Sequence, residues 1–329
     1  MNIYLTFDYE LYFGHTTGTA KNCILTPTEL LTEVADKHSI KLVQFVDIGY
    51  IIKLEEFKND YPELENDYQL ITNQIKNLYR SGHDIQLHIH PHWEDSYYKN
   101  GKWTIIANRY KLADFNEIEI DRIVSSYKQK TEELTGHNSV FAFRAGGWCV
   151  QPFEKLKSTF IKNNITIDSS VFQKGKYSSD QYSYDFTKAP SLSSWTFNND
   201  PCQQADGPFK ELPIGSICNS PLFYWKLFLL GRLHPFMHKP LGDGVPIAAP
   251  GQRKKLLTRF TQNTVSIDGY NAALLNKALH QYQNKNELVV IGHPKSLTRY
   301  GLNALDLFIK KNRNIHNFTT FRQERNKSL

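Results

Sequence analysis

Short runs of apolar and β-branched residues, each stopping at a charge, a histidine or a glycine, alternate along this chain with longer segments that repeat apolar residues at helical spacing. That alternation leaves few folds open, because parallel strands can be joined only by a crossover, usually a helix, on one face of the sheet. The runs begin at residue 3 (IYLTFD) and at Lys41 (KLVQFVDIGY), followed by HDIQLHIH closed by Pro91, SVFAFRAGG, ITIDSS around Asp168 and FKELPIG. ELVVIGHP from Glu287 and NFTTF complete the set. Helices are expected after Pro27, up to the stop at Arg80-Ser81-Gly82, over 116–134 and over 296–311. The spacing predicts an α/β fold, a barrel whose chemistry sits at the strand exits.

Between the fifth strand and the run that ends at His293 the alternation fails. Residues 172–208 are rich in Ser, Asn, Asp, Gln and Pro and are expected to be irregular. Residues 222–236, LFYWKLFLLGRLHPF, are apolar but interrupted by Lys226, Gly231, Arg232 and Pro235, too short and too charged to span a bilayer. A helix packed on the barrel is expected there. The other reading is a monotopic face touching a bilayer or a lipid-linked substrate, near the basic cluster Arg253-Lys254-Lys255. Across the 329 residues, 39 Lys and Arg against 33 Asp and Glu give a formal +6, which suits an anionic substrate or surface without demanding nucleic acid. The four cysteines lie far apart with no CxxC, so neither a zinc ribbon nor a disulfide framework is expected. The first residues carry acidic charge and no basic stretch before an apolar run, unlike a signal peptide, and a cytoplasmic location is expected.

Asp8 and Glu10 stand at the exit of the first strand. Strand alternation puts both carboxylates on one face with Tyr9 opposite, a costly arrangement unless something positive lies between them. Four of the 12 histidines fall within residues 83–92. His88, His90 and His92 share one phase of a strand, and His88 and His92 also share a face if the chain coils after Pro91. Either geometry offers two imidazoles to one metal ion. One carboxylate added to them makes a ligand group that leaves a position open for water. The other carboxylate is then placed to act as a base, and His293, in IGHPK at a late strand exit, is the candidate acid. Arg144, in AFRAGG, is costly to bury alone and is expected to pair with a strand-end carboxylate such as Asp8. No phosphate loop is present, since no GxGxxG follows a strand and no Lys-Ser or Lys-Thr follows Gly146-Gly147.

In this order the motifs resemble those of the polysaccharide deacetylase family, metal-dependent carbohydrate esterases built on a distorted (β/α) barrel. TFDYE at 6–10 is similar to the family's Thr-Phe-Asp-Asp, in the variant with one residue between the acids. GHDIQLHIHPH is similar to the stretch ending in His-(Ser/Thr)-x-x-His, FRAGG to the Arg-x-Pro-x-Gly motif without its proline, and IGHPK to the last motif, whose histidine is the general acid. The resemblance runs from residue 3 to about 170 and resumes near 287. It implies one catalytic domain over 1–329, a distorted barrel of about seven strands with an irregular and apolar insertion at about 172–265. Glu10, His88 and His92 would hold a divalent ion, zinc before cobalt or nickel. Asp8 would be the base, His293 the acid and Arg144 part of the catalytic wall, with Asp168 the carboxylate that tunes His293.

The implied activity is removal of an acetyl group from an N-acetylated sugar. With a cytoplasmic location, the expected substrate is a nucleotide- or lipid-linked precursor of a surface polysaccharide, such as O-antigen or capsule. The aromatic loop from Trp93 to Trp103 is available to stack on sugar rings. Two other readings stay open, a carbohydrate-binding protein on an inert barrel and a hydrolase of a non-sugar amide. The presence of both an acid and a base speaks against pure binding.

Overall fold

In the computed structural model, which describes residues 1–179, 181–246 and 251–327, the apolar run at the amino terminus forms the strand Asn2–Tyr9. It belongs to the first of two compact units, Met1–Leu42 with Ile214–Thr319; the second comprises Val43–Pro213 with Thr320–Leu329. In the first unit this strand runs parallel to Glu287–Gly292, with Leu5 opposite Val290 and Phe7 opposite Gly292, and parallel to Asn317–Thr319 on its other side. Ile3, Leu5 and Phe7 alternate into a core with Leu288 and Val290. Two helices cover that core. Thr26–Lys37 begins with Pro27 and Glu29 in its first turn and buries Leu31 and Ala35, four apart. Arg299–Asn312 is capped by the Thr298 hydroxyl, which accepts from the Gly301 N–H at 3.0 Å. It buries Leu302, Leu305, Phe308 and Ile309, the stripe of a 3.6-residue repeat. Each such side chain contributes about 1.5–3 kcal/mol by leaving water, so this stripe, rather than propensity, holds the helix in place.

In the second unit Val43–Asp47, Asp84–Ile89, Ala142–Ala145 and Ile167–Asp168 pair in parallel, in that order, and Phe209–Glu211 continues the series. Trp195–Phe197 closes it antiparallel to Phe209–Glu211. The helix expected over 116–134 spans Glu117–Thr135. Asn116 and Glu119 form its capping box, and Gly136 ends it at φ 113°, where a side chain would be strained. The expected strand from Lys41 is shorter than its apolar run. After Asp47, Ile48–Phe57 turns helical, and Gly49 lets Trp93 and the Tyr127 hydroxyl approach where a Cβ would stand within 3.0 Å of them. Residues 172–208 are irregular apart from the hairpin Lys176–Ser178 with Ser183–Asp185 and the edge strand Trp195–Phe197.

The apolar segment expected to pack as a helix does form one, Pro221–Leu233, capped by Ser220. Its packing is looser than expected, because only Tyr224 is buried, Phe223, Leu227, Phe228 and Leu230 are half-buried, and Leu222, Trp225, Leu229 and Leu233 face outward. The Trp93–Tyr110 loop is also tighter than expected. Trp103, half-buried, packs edge-on against Tyr50, Phe57, Trp93 and Tyr98, and Trp93 is fully buried, so the Trp93 indole belongs to the core.

Candidate active site

Each unit contributes a cluster at its strand exits. In the first, the parallel register that sets Phe7 against Gly292 brings Asp8 and Glu10 beside His293. The His293 Nε2 lies 3.6 Å from Asp8 Oδ2 and 3.8 Å from Glu10 Oε1. On the other side of the ring, Nδ1–H donates to Asp268 Oδ2 at 2.7 Å, and the His293 backbone N–H donates to Asp268 Oδ1 at 2.8 Å. Burial alone would pull this imidazole down. The facing carboxylates, Asp268 foremost and then Asp8 and Glu10, outweigh burial and hold it up at about 9. Lys295 adds a second cation, its Nζ 2.9 Å from Glu10 Oε1 and donating to the Leu11 carbonyl. Its ammonium lies over the Tyr12 and Phe13 rings, 4.9 Å from each centroid.

The carboxylate that orients His293 is therefore Asp268, not Asp168. Asp268 escaped the sequence reading because it follows a short polar strand, Thr261–Thr264, and then Val265-Ser266-Ile267, with no long apolar run to mark a strand exit. The usable signal was the alternation in VSID before Gly269. Ile267 and Val265 are buried and Ser266 bridges to Ile291, which puts Asp268 next to His293. Lys295 was visible in IGHPK without an assigned role.

The second unit holds His88 and His90. His88 sits opposite Arg144 in the parallel ladder, and its Nδ1–H donates to the Arg144 carbonyl at 2.8 Å. That bond makes Nε2 the lone-pair nitrogen, the second-sphere arrangement of a metal-binding imidazole. His90 presents its own Nε2 to it at 3.1 Å. Two imidazole nitrogens held this close with their rings nearly perpendicular suit a shared cation. Gly146 makes the approach possible, since a Cβ there would come within 2.6 Å of the His90 ring. His92 lies in the turn Pro91–Glu94, its ring stacked on Tyr110 and 5.3 Å, centre to centre, from that of His90. Glu10 is buried in the first unit and His88 and His90 in the second, residue types that hold a divalent ion.

Arg144 is wholly buried. Its Nε donates to the Ser169 carbonyl at 2.8 Å, Nη2 to the Ser169 hydroxyl, and its guanidinium lies over Phe45. Asp168 accepts from the Ser170 hydroxyl at 2.7 Å and faces Glu211 across the ladder, Glu211 opposite Asp168 in register. Burial raises both carboxyls. Glu211 rises furthest, because Asp168 adds to its burden while Ser170 and Arg144 hold Asp168 down. Asp168 is thus half of a buried acid pair, and Glu211 is a partner that FKEL gave no reason to single out.

No protein-family model and no curated protein matches the chain. Among solved structures, it is similar to a "putative polysaccharide deacetylase from Mycobacterium smegmatis" at 15% identity and TM-score 0.50, covering 100% of this chain and 91% of that one. The PuuE allantoinase (11% identity, TM-score 0.49, 98% and 88% covered) and a polysaccharide deacetylase from Bacillus cereus (12%, 0.43, 98% and 92%) also match. With the whole of this chain matched to the mycobacterial structure, its fold is the distorted (β/α) barrel expected from the sequence.

Proposed function

We propose that this protein is a metal-dependent hydrolase that removes the acetyl group from an N-acetylated sugar, acting on a nucleotide- or lipid-linked precursor of a surface polysaccharide such as O-antigen or capsule, before export. The observation that carries the reading is the His88–His90 pair, 3.1 Å apart with the His88 tautomer set by the Arg144 carbonyl. Glu10 and His88 are two of the ligands. The third is His90 or His92: the close nitrogens favour the first, the motif spacing the second. Zinc suits imidazole and carboxylate, as cobalt and nickel also do. A bound divalent ion supplies a Lewis acid and lowers the pKa of water.

The protein's own groups do the rest. Asp8 accepts the proton of the attacking water. His293, kept protonated by Asp268, donates to the departing amine nitrogen, so base and acid are separate groups with opposite resting states. Arg144, buried and held by Ser169, fixes the strand end that carries the His88 partner carbonyl. Acetate release across nucleotide sugars, lipid-linked oligosaccharides, chito-oligomers and aryl acetates, with Asp8→Asn as the blank, tests the substrate. Activity confined to chito-oligomers would overturn the precursor assignment, and binding without any acetate release would overturn catalysis. Metal content should fall from about one ion per chain in His88→Ala, and comparing His90→Ala with His92→Ala identifies the third ligand.

A further inference from the structure

The helix Pro221–Leu233 is fixed by its polar side. Tyr224, its buried residue, shares hydrogen bonds with the Thr261 hydroxyl at 3.0 Å and the Asn263 side chain at 2.7 Å. On the opposite face Leu222, Trp225, Leu229 and Leu233 recur at intervals of three and four residues, one helical stripe, and Phe236 is exposed beyond its end in the short helix Pro235–His238. These five side chains are between 55% and 76% exposed. A stripe that long and that open in water is unfavourable unless something covers it.

The charge around it identifies what does. Residues 219–267 contain seven Lys or Arg and one Asp, a net +6, and the rest of the chain balances at 32 of each sign. The whole formal charge of the protein therefore resides in this segment. Lys226, Arg232, Lys239, Arg253, Lys254, Lys255 and Arg259 are all exposed, while Asp243 is engaged by the Thr19 backbone and hydroxyl and by Asn22. No helix among the described residues is long and apolar enough to cross a membrane. We infer that this face is a monotopic docking surface for an anionic lipid bilayer, with the Leu222–Phe236 stripe entering the acyl boundary and the surrounding Lys and Arg meeting lipid phosphates. Trp225 suits the interface, its indole N–H donating to the Leu257 carbonyl while its ring stays outward. Beneath the helix a cavity of about 500 Å³, with Arg232 and Arg253 in its wall, reaches Asp268, the partner of His293. On the hydrolase reading above, a substrate held in the membrane by a lipid tail is thereby presented to the acid.

Cosedimentation of the full chain with vesicles of phosphatidylcholine alone, and of equal parts phosphatidylcholine and phosphatidylglycerol, tests the surface without any substrate, so its failure is separate from failure of the hydrolase reading. Binding to the mixed vesicles at least about tenfold tighter than to the neutral ones, and weakened by salt, is expected. It should be lost in Leu229→Glu/Leu233→Glu and reduced in Arg253→Glu/Lys254→Glu, all exposed positions whose change leaves the core untouched. No binding to either vesicle, or equal binding to both, would overturn the proposal. So would a concentration-dependent dimer that Leu229→Glu dissociates in a protein that ignores vesicles, which would assign the stripe to a second copy of the chain.

Discussion

At the exit of Glu287–Gly292, three carboxylates, Asp8, Glu10 and Asp268, lie around two cations, His293 and Lys295. At the exit of Ile167–Asp168, two carboxylates, Asp168 and Glu211, face each other, with Ser170 and a buried arginine on the Asp168 side. Burial raises the cost of charge in both places. In the first, opposite charges meet it and the imidazole is held up at about 9; in the second, burial and the facing Asp168 push the Glu211 carboxyl well up. The residue types are alike, yet one cluster sets an imidazole among carboxylates and the other sets two carboxyls against each other.

The largest expected effects break the first cluster. Asp8→Asn keeps the shape of the side chain and removes the proposed base, so turnover should fall by about 10²–10⁴-fold while metal content is retained. Glu10→Ala should lose both. Metal analysis beside acetate release separates the two, and the opposite pattern would exchange the roles of base and ligand.

Asp268→Asn sharpens the comparison at the next level. In the metal-free protein His293 has its folded value raised above the ordinary 6.5, so its contribution to stability is fully present below 6.5 and is lost as the pH rises through about 9. Removing the strongest of its carboxylate partners should lower the His293 titration midpoint and cost on the order of 2 kcal/mol at pH 6, with the difference from wild type shrinking toward pH 9. NMR titration of the imidazole and denaturant unfolding at both pH values check it. An unshifted midpoint would remove Asp268 as the group that tunes the acid.

The sequence made the parallel strands and most of the helices legible because burial on both faces writes a continuous apolar run, as in Ile3 to Phe7 and Leu288 to Ile291, and half-burial writes a stripe, as in Leu302 to Ile309. Asp8, Glu10, His88 and His293 were legible because they terminate such runs. Asp268 was not, because it lies four residues beyond a short polar strand, and Glu211 was not, because it falls inside the run FKELPIG rather than at its end. The facing of Pro221–Leu233 was hidden for a different reason. Apolar residues occur all round that helix, and only the hydrogen bonds of Tyr224 decide which side turns inward. The His88–His90 contact depends on Gly146 making room from another strand's end, which a linear pattern does not carry.

The smallest effect tests the second cluster, and its sign is the informative part. Glu211 is raised well above the ordinary carboxyl value, by burial first and then by Asp168, so the folded protein holds a proton there to higher pH than the unfolded chain does. Folding then takes up a proton, and stability is full below the unfolded value of about 4.3 and declines as the pH rises toward the folded one. Glu211→Gln keeps an oxygen to accept from the Val171 N–H and an amide N–H to offer Asp168, with no proton to take up. The variant and wild type should therefore respond differently to pH. From pH 4 upward the variant should gain relative to wild type, by at most about 1.4 kcal/mol per pH unit. Denaturant unfolding at pH 4, 5.5 and 7 reads this directly. If the two curves run parallel, or if the variant falls behind as the pH rises, Glu211 is ionised in the folded protein and the two strand exits meet the cost of burial in the same way.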